Sequence, residues 1–268
     1  MAITTRDQLV AALAAATDTP FYKASITSVA GFFYSLFRSA AGMPAASTTA
    51  VPTTAGRTLD RTAPGAIPIP SAGSNVLYSA AVDLVGTVAG TVILADRLVE
   101  FGGLVGNSTS AQAVSAQSLP ARAGTGVGCE LWLDIYTALG STASATVTAS
   151  YTNSAGTAGR TATLIGGIPA SIPANRCVRF GLQAGDVGVQ SVQSVTLGTS
   201  TATAGNFGLT IRKPIAMYPL PAANIGQKWG YAETGLSVVP TDACLELLVL
   251  ASTTSTGLIQ GILAIAQG

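Results

Sequence analysis

The chain has 268 residues and a net charge of +1, with 9% charged side chains, 48% hydrophobic ones and no histidine. Ordinary soluble domains carry roughly 25% charged residues, and a free monomer normally keeps charge on its surface for solubility, so a surface covered by other subunits is expected. Without a basic cluster there is no electrostatic footprint for nucleic acid or anionic lipid, and without histidine the commonest general base and transition-metal ligand are both missing.

The opening Met1-Ala-Ile-Thr-Thr-Arg-Asp lacks the basic start and unbroken apolar run of a signal peptide. No segment approaches the roughly 20 uninterrupted apolar residues of a membrane span. The expectation is a protein kept in the cytosol until it assembles. Residues 1–17 read as a helix: Thr5 and Gln8 have capping-box spacing and Asp7 sits near the positive end of the dipole. Leu9, Val10, Leu13 and Ala16 mark one face, and Asp18-Thr-Pro20 stops the helix.

A second helix is predicted from about Ala24 to Ala41, because Ile26, Val29, Ala30, Phe33, Leu36, Phe37 and Ala40 keep three-four spacing. Phe32 and Tyr34 widen its apolar face, Arg38 sits in the last turn, and Gly42 with Pro44 ends it. Two readings stay open. The helix packs on its own β body, or it docks into a neighbouring subunit through Phe32, Phe33, Leu36 and Phe37. Residues 43–74 then read as a semi-rigid extended linker, with Pro44, Pro52, Pro64, Pro68 and Pro70 among small residues. Its charges, Arg57, Asp60 and Arg61, need no explanation beyond solvation.

From Asn75 the text changes to short strands and turns. Candidate strands are Val76–Leu84, Thr91–Phe101, Gly128–Ala138, Ala145–Tyr151, Arg160–Ile165, Arg176–Gln183, Val192–Leu197, Phe207–Ile215, Ala243–Ser252 and Leu258–Ala266. The clearest alternation is Gly128-Cys-Glu-Leu-Trp-Leu-Asp-Ile-Tyr136, which puts Cys129, Leu131, Leu133 and Ile135 on one face and Glu130, Trp132, Asp134 and Tyr136 on the other. Thr146–Tyr151 and Arg160–Ile165 flank the turn cluster Asn153-Ser-Ala-Gly156 and read as a hairpin. Gly181–Gly188 reads as a turn-rich connection. The fold class expected is mainly β: a jelly-roll-like two-sheet β-sandwich over 75–268, preceded by a helical arm at 1–42 and the linker at 43–74. The alternative is two smaller β domains divided near residue 120.

No constellation spells out a chemistry. The cysteines Cys129, Cys177 and Cys244 are odd in number, far apart and set in apolar strand-like text, so three buried thiols are expected rather than a zinc site or a disulfide framework. Glu130 and Asp134 on one strand face would lie about 13 Å apart, too far for either glycosidase geometry. Gly102-Gly103 and Gly166-Gly167 match no phosphate loop, and Asp96, Asp134, Asp186 and Asp242 do not have calcium-loop spacing. Trp132, Tyr136, Trp229 and Tyr231 offer either a sugar platform or core aromatics. Neither a catalytic residue nor a metal or cofactor site is expected.

Several phrases together resemble the structural proteins of tailed bacteriophages: Ile3-Thr-Thr-Arg-Asp-Gln-Leu, Phe21–Gly31, Ser191–Leu197 with Ala204–Leu209, and Asp242-Ala-Cys-Leu-Glu-Leu. The resemblance spans nearly the whole chain in style rather than through a diagnostic motif. It implies a capsid decoration or cement protein, a homotrimer whose partners are the major capsid protein or other virion proteins. The alternatives are a tail or fibre-associated receptor-binding protein and a cellular β-sandwich lectin or enzyme.

Overall fold

The computed structural model describes residues 3–73, 75–115 and 117–268, so Met1 and Ala2 of the expected arm and Ser74 of the expected linker lie outside the described residues, as does Ala116. In chain order the elements are α1 (Arg6–Ala14), β1 (Thr17–Lys23), β2 (Phe33–Ser35), α2 (Leu36–Ser39), β3 (Gly42–Met43), β4 (Arg57–Thr58), β5 (Leu77–Gly86) and β6 (Gly90–Glu100). They continue with β7 (Gln112–Ala113), β8 (Glu130–Thr137), β9 (Val147–Asn153), β10 (Arg160–Leu164), β11 (Arg176–Gly181) and β12 (Val189–Leu197). The last are β13 (Asn206–Leu220), β14 (Gln227–Gly230), α3 (Tyr231–Thr234), β15 (Val238–Val239), β16 (Leu245–Ala251) and β17 (Ile259–Gln267). The chain is mainly β, as its alternation predicts, and all ten candidate strands are present with ends shifted by a few residues.

Two compact units divide the chain: residues 1–48, 60–96 and 215–268 form the first, and residues 49–59 and 97–214 form the second. These borders differ from those expected at 43, 75 and 120. The sandwich body is not one run from 75 onward, and the segments expected as arm and linker belong to the units themselves.

In the first unit a sheet runs in the order β14-β5-β17-β1-β3, with β15 also on β5. A second layer pairs β16 with β2 and with Gly90–Asp96 of β6. Alternate residues of both layers, among them Val82, Leu84 and Leu263 from one and Val92, Leu94, Leu247 and Val249 from the other, meet in one core. Full burial of such side chains is worth about 1.5–3 kcal/mol each. Helix α1 forms where its capping box predicts. The Gln8 amide donates to Thr5 Oγ1 at 3.3 Å and the Thr5 amide to Gln8 Oε1 at 3.1 Å. It lies on the outer face of the first sheet through Ala12, packed with Ala80 and Ala266.

The predicted helix over 24–41 does not form. Its only helical turn is α2, and β2 pairs with β16 from Leu248↔Ser35 to Leu250↔Phe33. Upstream, the Ser28 amide donates to the Thr254 carbonyl at 2.9 Å and Gly31 to Ala251 at 2.7 Å. Gly31 sits at φ +83, a conformation that ends any helical run. Leu36 and Phe37, at 0% and 1% exposure, are inside the protein's own first unit, while Phe32 and Phe33 are half-buried. The interface expected at these four positions is therefore corrected for Leu36 and Phe37, whose apolar surface is already spent on their own core.

The proline-rich stretch is extended, but it is packed. In Ile67-Pro-Ile-Pro70 the isoleucines are buried, and Ile67 bridges to Leu245. Arg61 donates to the carbonyls of Ile69 at 2.6 Å and Pro70 at 3.2 Å, fixing the segment instead of merely solvating it.

In the second unit the strands follow the order β13-β8-β11-β10-β9-β12-β7. The predicted hairpin is β9–β10, in register from Arg160↔Tyr151 to Thr163↔Thr148. Leu131, Leu133 and Ile135 of β8 join Leu209 and Ile211 of β13 and Val192 and Val195 of β12 in the core. All three cysteines are buried.

Candidate functional site

The alternation of β8 that sends Leu131, Leu133 and Ile135 into the core puts Trp132 and Asp134 on the opposite face. That face is buried too, with Trp132 at 1% and Asp134 at 5% exposure. Antiparallel pairing of β13 with β8 sets Thr210 opposite Trp132 and Arg212 opposite Glu130. The result is a chain of charges inside the second unit. Arg212 grips Asp134 with both ends of its fork, Nη1 to Oδ1 at 2.9 Å and Nη2 to Oδ2 at 2.7 Å. Arg97 Nη2 and Thr210 Oγ1 each donate to Asp134 Oδ2 at 2.8 Å.

The chain continues through Arg97, whose Nε donates to Glu100 Oε2 at 2.9 Å. Arg57 of β4 closes that end, donating from Nε at 2.8 Å and Nη2 at 2.6 Å to Glu100 Oε1. At the other end the Arg212 guanidinium stacks 5.6 Å from the centre of the Trp132 ring. Trp132 Nε1 donates to Glu130 Oε2 at 3.0 Å, and Arg179 Nη1 donates to Glu130 Oε1 at 3.0 Å. Both termini reach solvent, at Arg57 and at the Glu130–Arg179 pair, whereas the middle is buried.

Burial alone would raise the Asp134 carboxyl. The Arg212 and Arg97 guanidinium groups overcome this and, with their hydrogen bonds and that of Thr210, hold it well below its ordinary 3.8. Both oxygens of this buried carboxylate are held by donors from β6 and β13, one on Oδ1 and three on Oδ2. The cluster therefore does the work of a cross-strand clamp between β6, β8 and β13.

A second cluster of the same kind pins the Gly181–Gly188 connection. Asp186 accepts from Tyr151 Oη, from Asn153 Nδ2 at 2.7 Å, and from Arg160 Nε and Nη2 at 2.9 and 3.1 Å. The Arg160 and Tyr151 hydrogen bonds bring its pKa down to about 2. Burial and then the Asp186 hydrogen bond push the Tyr151 phenol up. Beside it lies an open groove of about 430 Å³ lined by Ile165, Phe180 and the Glu130–Arg179 pair.

In the first unit, Lys23 is 1% exposed and donates from Nζ to the Pro44 carbonyl at 2.9 Å. Burial lowers its pKa to about 8 despite the charge of Glu246. Glu246 itself accepts from Ser35 Oγ at 2.6 Å.

Trp132 and Tyr136 lie in the second unit and Trp229 and Tyr231 in the first, so no four-residue aromatic platform is built within either unit. Among the described residues no group of three or more Cys, Asp or Glu stands close enough to hold a metal ion, and no helix is long and apolar enough to cross a membrane. Sequence reading missed Arg97, Glu100 and Arg212 as members of the clamp. Their signal is charge set inside apolar strand text, as in Val92-Ile-Leu-Ala-Asp-Arg-Leu-Val-Glu-Phe101. A buried strand tolerates such charges only when each has a partner.

No protein family matches the chain, and no curated protein does. Among solved structures, the infectious bursal disease virus VP2 subviral particle aligns over 94% of this chain and 80% of its own, at 6% identity and a TM-score of 0.22. A structure of the Gt strain of the same virus aligns over 94% and 81%, at 7% identity and a TM-score of 0.19. Likeness this slight carries no argument about fold or function.

Proposed function

We propose that this protein is a structural component of a virion, of the capsid decoration or cement kind, with a jelly-roll-like two-sheet body that assembles rather than catalyses. One observation carries the reading: charge is scarce, and about a third of it is buried. Of 25 charged side chains, eight are buried: Lys23, Asp96, Arg97, Glu100, Asp134, Arg176, Arg212 and Glu246. The rest must serve 10,600 Å² of accessible surface, far below the quarter to a third of charged surface positions that keeps a small domain soluble on its own. Exposed Val127, Ile165, Val187, Met217 and Val238 occupy that surface instead. Such a skin suits a subunit that spends its life against companions, here the major capsid protein and copies of itself.

The test is to compare particles produced with and without this protein, followed by heating and by osmotic shock. Particles lacking it are expected to release their genome at a lower temperature. Equal stability, together with absence of the chain from purified particles, overturns the reading.

A further inference from the structure

The outer face of the first unit's sheet is only half covered. Helix α1 closes one end of it through Ala12 on Ala80 and Ala266. The other end is a groove of about 580 Å³. Strand register gives its floor. Tyr22, Gln260 and Val85 form one row across β1, β17 and β5, since Tyr22 pairs with Gln260 and Gln260 with Val85, and Met43 of β3 stands beside Tyr22 outside the groove lining. Pro20, Ile262, Asp83 and Lys228 form the next row, across β1, β17, β5 and β14. Ile262 is 38% and Met43 52% exposed, so this face leaves apolar side chains open in and beside the groove.

We infer that this groove docks a second copy of the same chain, face to face; the inference rests on the reading of the protein as an assembling subunit. Charge selects the occupant. The second row ends in one acid and one base, Asp83 and Lys228, which lie 3.6 Å apart with side chains 48% and 72% exposed. That pair is loose, and an exposed pair of this kind binds its members weakly. A patch with one charge of each sign is complementary to itself: a twofold axis through the groove sets Asp83 against the other copy's Lys228, twice. It offers nothing to nucleic acid, to an acidic peptide or to a basic one.

Size sets the strength. Four strands about 4.8 Å apart and two rows about 7 Å apart give a patch of a few hundred Å² per copy, well short of the roughly 800 Å² per partner of a standard interface. The association is therefore weak in solution, with a Kd on the order of 0.1–1 mM, and is reinforced when copies are held side by side on a particle.

Sedimentation equilibrium of the full chain over roughly 10 µM to 1 mM tests this. The wild type is expected to shift from monomer toward dimer. Ile262→Lys, at an exposed position, is expected to weaken the shift at least about tenfold. Asp83→Lys weakens it by setting like charges together, and Asp83→Lys with Lys228→Asp recovers it. A wild type that stays monomeric throughout overturns the inference, as does a double exchange with no recovery or an Ile262→Lys variant that associates like the wild type. A protein that remains monomeric yet protects particles sinks the docking and leaves the virion role standing. One that self-associates while particles are indifferent to it does the reverse.

Discussion

At the scale of single residues, Asp134 is the most consequential side chain. It takes two guanidinium groups and a hydroxyl from neighbouring strands, so removing it leaves Arg97 and Arg212 buried without their shared anion. Breaking a buried pair in this way costs about 3–5 kcal/mol, and Asp134→Ala is expected to lose that much in a urea titration. The pH dependence follows the same group. Its folded pKa lies below its ordinary 3.8, so the folded state binds the proton less readily than the unfolded chain. The stabilisation is complete above about pH 5 and drains away as the pH falls through 4 and below. The Asp134→Ala protein should show a shallower acid limb in the same titration, and an unchanged limb would remove Asp134 from the account. Half of this was legible beforehand: alternation put Asp134 and Trp132 on one face. Which arginines meet them depends on pairing between strands some eighty residues apart, and nothing local in the text encodes that.

At the scale of elements, strands were easier to read than helices for a physical reason. The candidate strands are short apolar or alternating runs between turn-forming stops, and pleat and burial agree there. Residues 24–41 offered only apolar spacing. Ile26, Thr27 and Val29 are poor helix formers, and Gly31 takes a positive φ. The same residues gain more as a loop and short strand bonded along β16, where Phe33, Tyr34 and Ser35 pair. Period-two burial was also present in Ile67-Pro-Ile-Pro70, masked by prolines that forbid ladder bonds without forbidding a packed isoleucine. Because Phe37 is 1% exposed inside the first unit, Phe37→Asp is expected to cost about 3–5 kcal/mol by cavity and buried charge. Thermal melting checks this, and a fully stable variant would return the phenylalanines to the role of a free docking arm.

At the scale of the whole molecule, the two units differ in how their chain is arranged. Most of the second comes from one stretch, 97–214, while the first is assembled from three separated stretches. Within the first, β17 lies between β5 and β1, paired with Leu77–Gly86 on one side and with Thr17–Lys23 on the other. Gly261 marks how tightly it fits: a Cβ there would stand 2.2 Å from the Asp83 carbonyl oxygen and 2.7 Å from Phe21 Cζ. Widening the residue forces neighbouring strands apart, so Gly261→Val is expected to lower the melting temperature by several degrees for about 1–3 kcal/mol, while an unchanged melt would deny the strand its central place.

The position of β17 also decides whether the first sheet holds together. Among the described strands it comes last in chain order, yet without it β1 has no neighbour on that side and the groove loses the middle of its floor. A chain ending before residue 259 would leave β1 and β5 without the strand they share.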